Sequence, residues 1–387
     1  MKSWPPPEWG LLLDAVTSTA HPRADWSEFR TTDWRLVLRA AHWHRLTPLL
    51  YRHLVDDPEI PAPVLHELED AYLGNVARNL LVSQTLTQVL AALRDVDVPA
   101  MPLKGAALIK AIYPEPGVRE LLDLDVLVPA GQIAAATQAL RRLAFGPTRA
   151  EDAPDHHAPA LTAPDARTAV ELHHHVALAR EAHYFKIDGF WRRAGLVEEE
   201  PPWLLATRED LLLHVALHFT RNRLAGRTAG ALAQIGDIAW ITKDDGIDWD
   251  TFTKRVRGYA IETEIFLALW CAAELGVTLP ARALRALRPT SFERTIGRRF
   301  LMLRVLRSDE RQLVRSLRRA VLPERETLVV GWRAGGDDWP ALARAYIRRA
   351  RVRVPDVGAA LGQPLRQIRD YRLNGQIAAL GRDERSR

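Results

Sequence analysis

The chain has 387 residues, of which 47% are hydrophobic and 26% charged, and its formal net charge is +5. This length allows two or three domains, and the composition is that of a globular protein with a sizeable core. The single cysteine, Cys271, excludes an internal disulfide and a cysteine-based zinc site, and we expect it to fill space in the core of a cytoplasmic protein.

Membrane insertion and secretion are not expected. The first ten residues have no apolar stretch after Lys2, which argues against a secretory signal. The apolar runs all fall short of the roughly 20 residues that a membrane span needs. Arginine supplies nearly all of the positive charge, and its guanidinium suits phosphate and carboxylate, so a polyanionic partner is permitted.

The first zone, residues 1–95, is predicted to be helical. Apolar residues recur at spacings of three and four in "DWRLVLRAAHWHRLTPLLYRHL" and in "LHELEDAYLGNVARNLLVSQTLTQVLAALRDV". The prolines of "DDPEIPAP" predict a loop between the two segments.

The second zone, residues 96–200, alternates between short strands and helices. Strands are predicted in "VDVPAMPL", "LLDLDVLVP" and "ARTAVELHHHVAL", and helices in "GAALIKAIY" and "AGQIAAATQALRRLAF". This alternation indicates an α/β or α+β core. His156 and His157 fall in a polar, proline-broken stretch, where we expect them to be solvated.

The third zone is helical again and divides into residues 201–280 and a basic region, 281–387. Thr207 is predicted to cap a helix, with Asp210 three residues later. Asp237 lies inside an apolar helix, where a buried salt bridge or a cap to a neighbouring helix is favoured over a substrate contact. Arginines recur every three or four residues in the basic region, either as a solvated helix face or as a docking stripe for a polyanion such as tRNA or an acidic peptide. They are Arg304, Arg307, Arg311, Arg315 and Arg318.

The strand "LLDLDVLV" carries two aspartates in an apolar run. Because side chains alternate along a strand, Asp123 and Asp125 share one face, while Leu122, Leu124 and Val126 point to the core. Two neighbouring carboxylates repel each other, and a divalent cation between them would remove the repulsion. The alternative is an edge strand whose aspartates face solvent.

Further residues that suit a site for phosphate and metal ions lie nearby in the sequence. Lys104 and Gly105 stand where a strand ends and a helix begins, which favours an anion such as phosphate. Arg119 could reach the same phosphates. Glu171 and His173 share a face of a later strand. If this strand is a neighbour of the first, Glu171 could lie beside the aspartates, and His173 could orient the carboxylates. Three carboxylates with a glycine and a cation suit two-metal phosphoryl transfer.

These motifs carry a family resemblance. "PLKGAALIKAIYPEPGVRELLDLDVLVP" followed by "VELHHHVAL" resembles an uncharacterised nucleotidyltransferase family of the DNA polymerase β-like superfamily. "AAHWHRLTPLLYRHL", "EDLLLHVALH" and "LAQIGDIAWITKDDGIDW" are similar to its helical parts. The similarity spans roughly residues 35–275.

The resemblance implies an α+β fold in which a small mixed sheet forms the nucleotidyltransferase core between largely helical N- and C-terminal regions. It implies Mg²⁺ or Mn²⁺ bound by Asp123 and Asp125 with Glu171 as third carboxylate. It also implies contacts from Lys104 and Gly105 to a nucleoside triphosphate. The wider superfamily has Gly-Ser at the helix start, whereas this chain has Lys-Gly-Ala and offers no serine hydroxyl there.

The leading hypothesis is therefore a Mg²⁺-dependent nucleotidyltransferase with an unknown acceptor, which could be a small molecule, a peptide or RNA. The alternative is a catalytically inactive nucleotide- or RNA-binding module of the same fold. A third hypothesis is a histidine-based metallohydrolase, because His214 and His218 stand four residues apart on one helix face. The metalloprotease motif needs glutamate where Val215 stands, so we expect these histidines to be core or interhelical residues.

Overall fold

The computed structural model describes most of the chain up to residue 290 and a few positions after it. The described residues are 7–17, 33–148, 156–165, 168–177, 185–290, 292, 297, 298, 300, 301, 305 and 306. The predicted arginine stripe at Arg304, Arg307, Arg311, Arg315 and Arg318 lies outside them. Among the helices of the described ranges, none is long and apolar enough to cross a membrane.

Helices precede the sheet, as the sequence predicted. They are Pro7–Thr17 (α1), Trp34–His44 (α2), Thr47–Leu54 (α3) and Ala62–Arg94 (α4). Asp33 begins α2 by accepting hydrogen bonds from the backbone N–H groups of Arg35 and Leu36. The helical pattern is interrupted at Arg45, whose φ of 58° is left-handed. A new helix then starts beside Pro48, since proline fits the first turn of a helix and not its interior.

A small mixed sheet forms the centre of the second zone. Its strands are Met101–Pro102 (β1), Asp123–Leu127 (β2), Gly146–Pro147 (β3), Leu161–Thr162 (β4) and Ala169–His173 (β5). The strand order is β1-β2-β5-β4-β3. Strands β2 and β5 run parallel, and the other neighbours are antiparallel. Helix α5, Lys104–Ala111, lies between β1 and β2, and α6, Ile133–Arg142, follows β2. The predicted α+β class is confirmed.

The two faces of β2 and β5 have different environments. Leu124 and Val126 of β2, with Val170 and Leu172 of β5, are buried in a cluster with residues of α4 and α6. Side chains alternate along a strand, so the acidic residues of both strands lie on the opposite face. Leu122, which the sequence assigned to the core, precedes β2 and is 41% exposed.

The chain after the sheet is again mainly helical. Its elements are α7 (Ile187–Arg193), β6 (Gly195–Val197), β7 (Trp203–Leu205), α8 (Arg208–Leu224), α9 (Ala231–Thr242), α10 (Trp249–Gly258), α11 (Glu262–Glu274) and α12 (Ala281–Leu287). Thr207 caps α8 by accepting a hydrogen bond from the N–H of Asp210, as predicted. Cys271 is buried in α11, and burial raises the pKa of its thiol, which fits core packing.

One hydrophobic cluster joins the first and third zones. Its members include Leu50 of α3, Leu217 of α8 and Ile238 of α9, together with Leu127 at the end of β2. The helices that precede the sheet in the sequence therefore pack against the helices that follow it, and this packing includes the end of β2. The division into segments 1–95, 96–200, 201–280 and 281–387 stays a prediction.

Candidate functional site

The parallel pairing of β2 and β5 brings the predicted acidic residues together. Asp125 lies directly opposite Glu171, and Asp123 lies opposite Ala169. Leu127 and His173 form the next pair. Because these positions alternate with the buried Leu and Val residues, both carboxylates of β2 face the same side as Glu171.

Asp125 is the centre of the site. It is 3% exposed, and its Oδ1 accepts hydrogen bonds from Lys104 Nζ at 2.8 Å and His173 Nε2 at 2.7 Å. His173 Nε2 also lies 3.5 Å from Glu171 Oε2. Asp125, Glu171 and His173 each offer one metal-ligand atom, and these atoms all lie within 4.8 Å of one another. The cluster can hold a metal ion.

The surroundings of Asp125 and Asp123 shift the pKa values of these two residues in opposite directions. Burial alone would raise the pKa of Asp125, but the ammonium of Lys104 and the hydrogen bond from His173 outweigh it and hold this pKa well below the usual value. Asp123 is open to solvent at the start of β2. The dense protein around it and the charge of Asp125 nevertheless raise the pKa of Asp123 to about 6. A second negative charge here is unfavourable unless a cation compensates it.

Lys104 reaches Asp125 from a strained backbone. It is the first residue of α5 and has a φ of 47°, a left-handed conformation that is uncommon for a lysine. The preceding N–H, of Leu103, donates to the carbonyl of Asp125 at 2.9 Å, which fixes the start of the helix against β2. Burial disfavours the Lys104 ammonium, yet the charges of Asp125 and Asp123 raise its pKa above the usual value. Strain of this kind clusters at functional sites.

Gly105 lies against the side chains of Arg119 and Leu121. A Cβ at Gly105 would collide with Arg119 Nη1 and would lie 2.6 Å from Leu121 Cδ1. The missing side chain therefore makes room for the Arg119 guanidinium.

Arg119 itself is held by Asp237 of α9. Its Nε donates to Asp237 Oδ1 at 2.7 Å and its Nη2 donates to Oδ2 at 2.9 Å. Tyr113 adds a hydroxyl hydrogen bond to Oδ1 at 2.8 Å. The buried salt bridge predicted for Asp237 is confirmed. This pair ties the loop before β2 to α9, and the predicted phosphate contact of Arg119 stays a prediction.

Two histidines that the sequence assigned to solvent lie at the site. His157 Nε2 is 3.5 Å from Glu171 Oε2, and the ring centroids of His157 and His173 are 4.9 Å apart. His157 Nδ1 is 2.7 Å from the carbonyl of Ala158, so the proton sits on Nδ1 and Nε2 keeps its lone pair. The His156 ring packs against both other rings. Burial lowers the pKa of His156, to about 2, and that of His157.

These histidines were missed because their position depends on pairing between segments. The backbone of His157 bridges to that of His173, and the N–H of Ala158 donates to the carbonyl of Leu172. The pair of consecutive histidines in a polar stretch was the signal in the sequence, but hydrophobic periodicity carries no information about such a contact.

The remaining candidate histidines have structural partners. His214 of α8 is 3% exposed, and burial together with the charges of Lys104 and His173 lowers its pKa well below the usual value. His218 bonds to Asn222 at 2.8 Å. His175 contacts the carbonyls of Ala177 and Phe185. His214 and His218 are not members of the metal-ligand cluster found among the described residues. The charges of Lys104 and His173 nevertheless act on His214, so α8 lies near the site.

A comparison with protein-family models identifies the family of the chain. A family model described as "Uncharacterised nucleotidyltransferase" matches residues 30–276. The match covers more than half of the chain, and the chain belongs to this family. The comparisons with curated proteins and with solved structures returned no match. The resemblance carried by the Lys-Gly, Asp-Leu-Asp and Glu-Leu-His motifs is confirmed at the level of the family.

Proposed function

We propose that the protein transfers a nucleoside monophosphate from a nucleoside triphosphate to an acceptor, with a divalent metal ion held by the acidic strands. The observation that carries the proposal is the pairing of Asp125 with Glu171 across parallel strands, with Asp123 on the same face. Membership of a nucleotidyltransferase family supports the reaction class.

The donor set fits Mg²⁺ or Mn²⁺. Carboxylate oxygens from Asp125 and Glu171 are the ligands that these hard cations prefer, and they lie within the same 4.8 Å cluster as His173. Asp123, whose pKa is raised to about 6, gains a compensating charge when a cation binds beside it. When bound, the metal stabilises the charge that develops on the phosphates.

The chemical step needs one nucleophile and one base. The acceptor oxygen forms a bond to the α-phosphorus, and the bond from the α-phosphorus to the bridging oxygen breaks, releasing pyrophosphate. A hydroxyl acceptor loses its proton to a carboxylate. Glu171 suits this role because it is only half-buried, whereas both hydrogen bonds to Asp125 hold that carboxylate in place.

Lys104 and Gly105 lie where the phosphate chain would enter. The Lys104 ammonium is 2.8 Å from Asp125 Oδ1. The ammonium carries three N–H donors, so it could keep Asp125 Oδ1 and also donate to a phosphate, which is a strong acceptor of its charge. His173 keeps Asp125 oriented through the 2.7 Å hydrogen bond.

Pyrophosphate release tests the proposal. The purified chain is incubated with each of the four ribonucleoside triphosphates, with Mg²⁺ or Mn²⁺, and with panels of small molecules, peptides and RNA as acceptors. We expect metal-dependent pyrophosphate from the wild type and none from Glu171→Gln. Glu67→Gln, an exposed glutamate on α4, is the matched control and should behave as the wild type.

Binding measurements distinguish the alternative function. Metal-dependent nucleotide binding without pyrophosphate across the whole panel would identify an inactive nucleotide-binding module of the same fold. Absence of nucleotide binding with either metal would overturn the proposed function.

A further inference from the structure

His157 lies against the acidic strands, although it belongs to the segment that leads into β4. Its backbone forms a bridge to the backbone of His173. The N–H of Ala158 donates to the carbonyl of Leu172 at 2.8 Å. Only 8% of the His157 side chain is exposed. Backbone contacts with β5 therefore hold this imidazole at the edge of the site.

The ring of His157 has one nitrogen bonded to the backbone and the other beside Glu171. Nδ1 lies 2.7 Å from the carbonyl oxygen of Ala158, to which it donates, so the lone pair is on Nε2. Nε2 lies 3.5 Å from Glu171 Oε2. Histidines that bind metal ions almost always donate their other ring N–H to a carbonyl or a carboxylate, because that bond fixes the tautomer and the ring orientation. His157 has this arrangement.

The distance between His157 and Glu171 suits a shared ion better than a hydrogen bond. A hydrogen bond from nitrogen to oxygen spans about 2.7–3.2 Å, whereas these two atoms are 3.5 Å apart. With the proton on Nδ1, a lone pair faces a carboxylate oxygen, and a cation between them removes the repulsion. In an octahedral site with bonds of about 2.1 Å, neighbouring ligand atoms lie about 3 Å apart and opposite ones about 4 Å apart.

His173 also lies 3.5 Å from Glu171 Oε2, but its nitrogen is already used. His173 Nε2 is 2.7 Å from Asp125 Oδ1, and this hydrogen bond needs the proton on Nε2. A protonated ring nitrogen has no lone pair for a metal ion. Of these two histidines, His157 is therefore the one whose Nε2 can bind a cation beside Glu171.

We propose that His157 binds the divalent metal ion together with Glu171 and gives the site a preference for Mn²⁺ over Mg²⁺. The inference rests on the proposed function and adds a nitrogen ligand to the carboxylates of that site. Mg²⁺ prefers oxygen ligands and gives up its water molecules reluctantly, whereas transition metals also accept imidazole nitrogen. Mn²⁺ can therefore gain from His157, while Mg²⁺ keeps a water molecule instead.

Pulsed electron paramagnetic resonance of bound Mn²⁺ tests the contact directly. The electron spin of the ion couples to a nitrogen nucleus that is bound to it, and carboxylate or water ligands give no such signal. We expect nitrogen coupling in the wild-type protein with Mn²⁺ and without nucleotide, and its loss in His157→Gln. Absence of the coupling in the wild type would overturn the inference. Coupling that persists in His157→Gln would also overturn it, because the nitrogen would then belong to another residue.

Metal affinities test the preference. Titration with Mn²⁺ gives its affinity, and displacement of Mn²⁺ by Mg²⁺ gives the affinity for the second ion. We expect His157→Gln to weaken Mn²⁺ binding about tenfold or more, and Mg²⁺ binding less than about threefold. His66→Gln replaces a histidine of α4 whose side chain is 74% exposed, and this matched control should keep both affinities. An equal loss for the two ions in His157→Gln would indicate an effect through the fold and contradict the inference.

These measurements need neither nucleotide nor turnover, so the inference and the proposed function can fail separately. A wild-type protein that releases pyrophosphate and binds Mn²⁺ without nitrogen coupling would keep the proposed function and overturn the inference. If the wild type binds neither Mn²⁺ nor Mg²⁺, the metal site of the proposed function fails together with the inference.

Discussion

The buried aspartates Asp125 and Asp237 differ in how many of their oxygen atoms the protein uses. They are 3% and 2% exposed. Both oxygens of Asp237 accept hydrogen bonds, from Arg119 and from Tyr113. Asp125 receives both of its donors on Oδ1, and no described residue donates to its Oδ2.

This difference in hydrogen bonding separates the structural ion pair of Asp237 from the candidate metal site at Asp125. A saturated carboxylate has no capacity left for a ligand, and removing its partner leaves an uncompensated buried charge. A carboxylate with an open oxygen, beside Asp123 and Glu171, can still accept a cation. The number of donors on each carboxylate therefore distinguishes the ion pair of Asp237 from the candidate site at Asp125, whereas burial does not.

The largest effect is expected on turnover, from Asp125→Asn. The amide keeps the shape of the side chain but loses the charge that holds a cation. Pyrophosphate release should fall about a thousandfold, which corresponds to several kcal/mol of lost stabilisation of the transition state. Without metal the variant should unfold at a lower temperature than the wild type, because Lys104 and His173 lose the negative charge that they face. A large loss of stability with unchanged turnover would mean that Asp125 is a structural residue of the same kind as Asp237.

Asp237→Asn should show the opposite pattern. It leaves Arg119 buried with a weakened partner, and the free energy of unfolding should fall by about 3 kcal/mol. Denaturant unfolding measures this change. Asp244→Asn, which removes a surface pair with Arg208 at 3.4 Å, is the control and should cost less than about 1 kcal/mol. Equal effects from the two variants would contradict the structural role of the Arg119 pair.

The sequence predicted the acidic face of β2 better than it predicted the residues that pair with that face. Alternation along "LLDLDVLV" placed Asp123 and Asp125 together, because period-two geometry is local. The direct pairing of Asp125 with Glu171 depends on strand order, which sequence patterns leave open. The partner of Arg119 lies 118 residues further along the chain, and no local signal connects the two. The position of His157 likewise follows from pairing between segments.

Gly105→Ala tests which of two reasons accounts for the glycine. If its role is to leave room for Arg119, the added methyl group clashes with the guanidinium and with Leu121. Overpacking of this kind should lower the free energy of unfolding by about 1–3 kcal/mol. Gly131→Ala is the matched control, since a Cβ there would meet nothing within 4 Å. Unchanged stability together with weaker nucleotide binding would instead support the phosphate contact that the sequence predicted.

The smallest effect is expected from Asp123→Asn and depends on pH. In the folded protein the pKa of Asp123 is raised to about 6, above that of an unfolded aspartate, which is about 3.9. Folding then favours the protonated form, so this residue's contribution to stability is present at low pH and is lost as the pH rises through about 6. Without metal, Asp123→Asn should therefore unfold at a higher temperature than the wild type at pH 7.5, and the difference should shrink towards pH 5. The gain should be below about 1 kcal/mol, because solvent screens an exposed carboxylate. Added Mn²⁺ should reverse the order by stabilising more strongly the protein that keeps the third carboxylate. A stabilising effect of the substitution that is the same at both pH values would show that repulsion from Asp125 is not its cause.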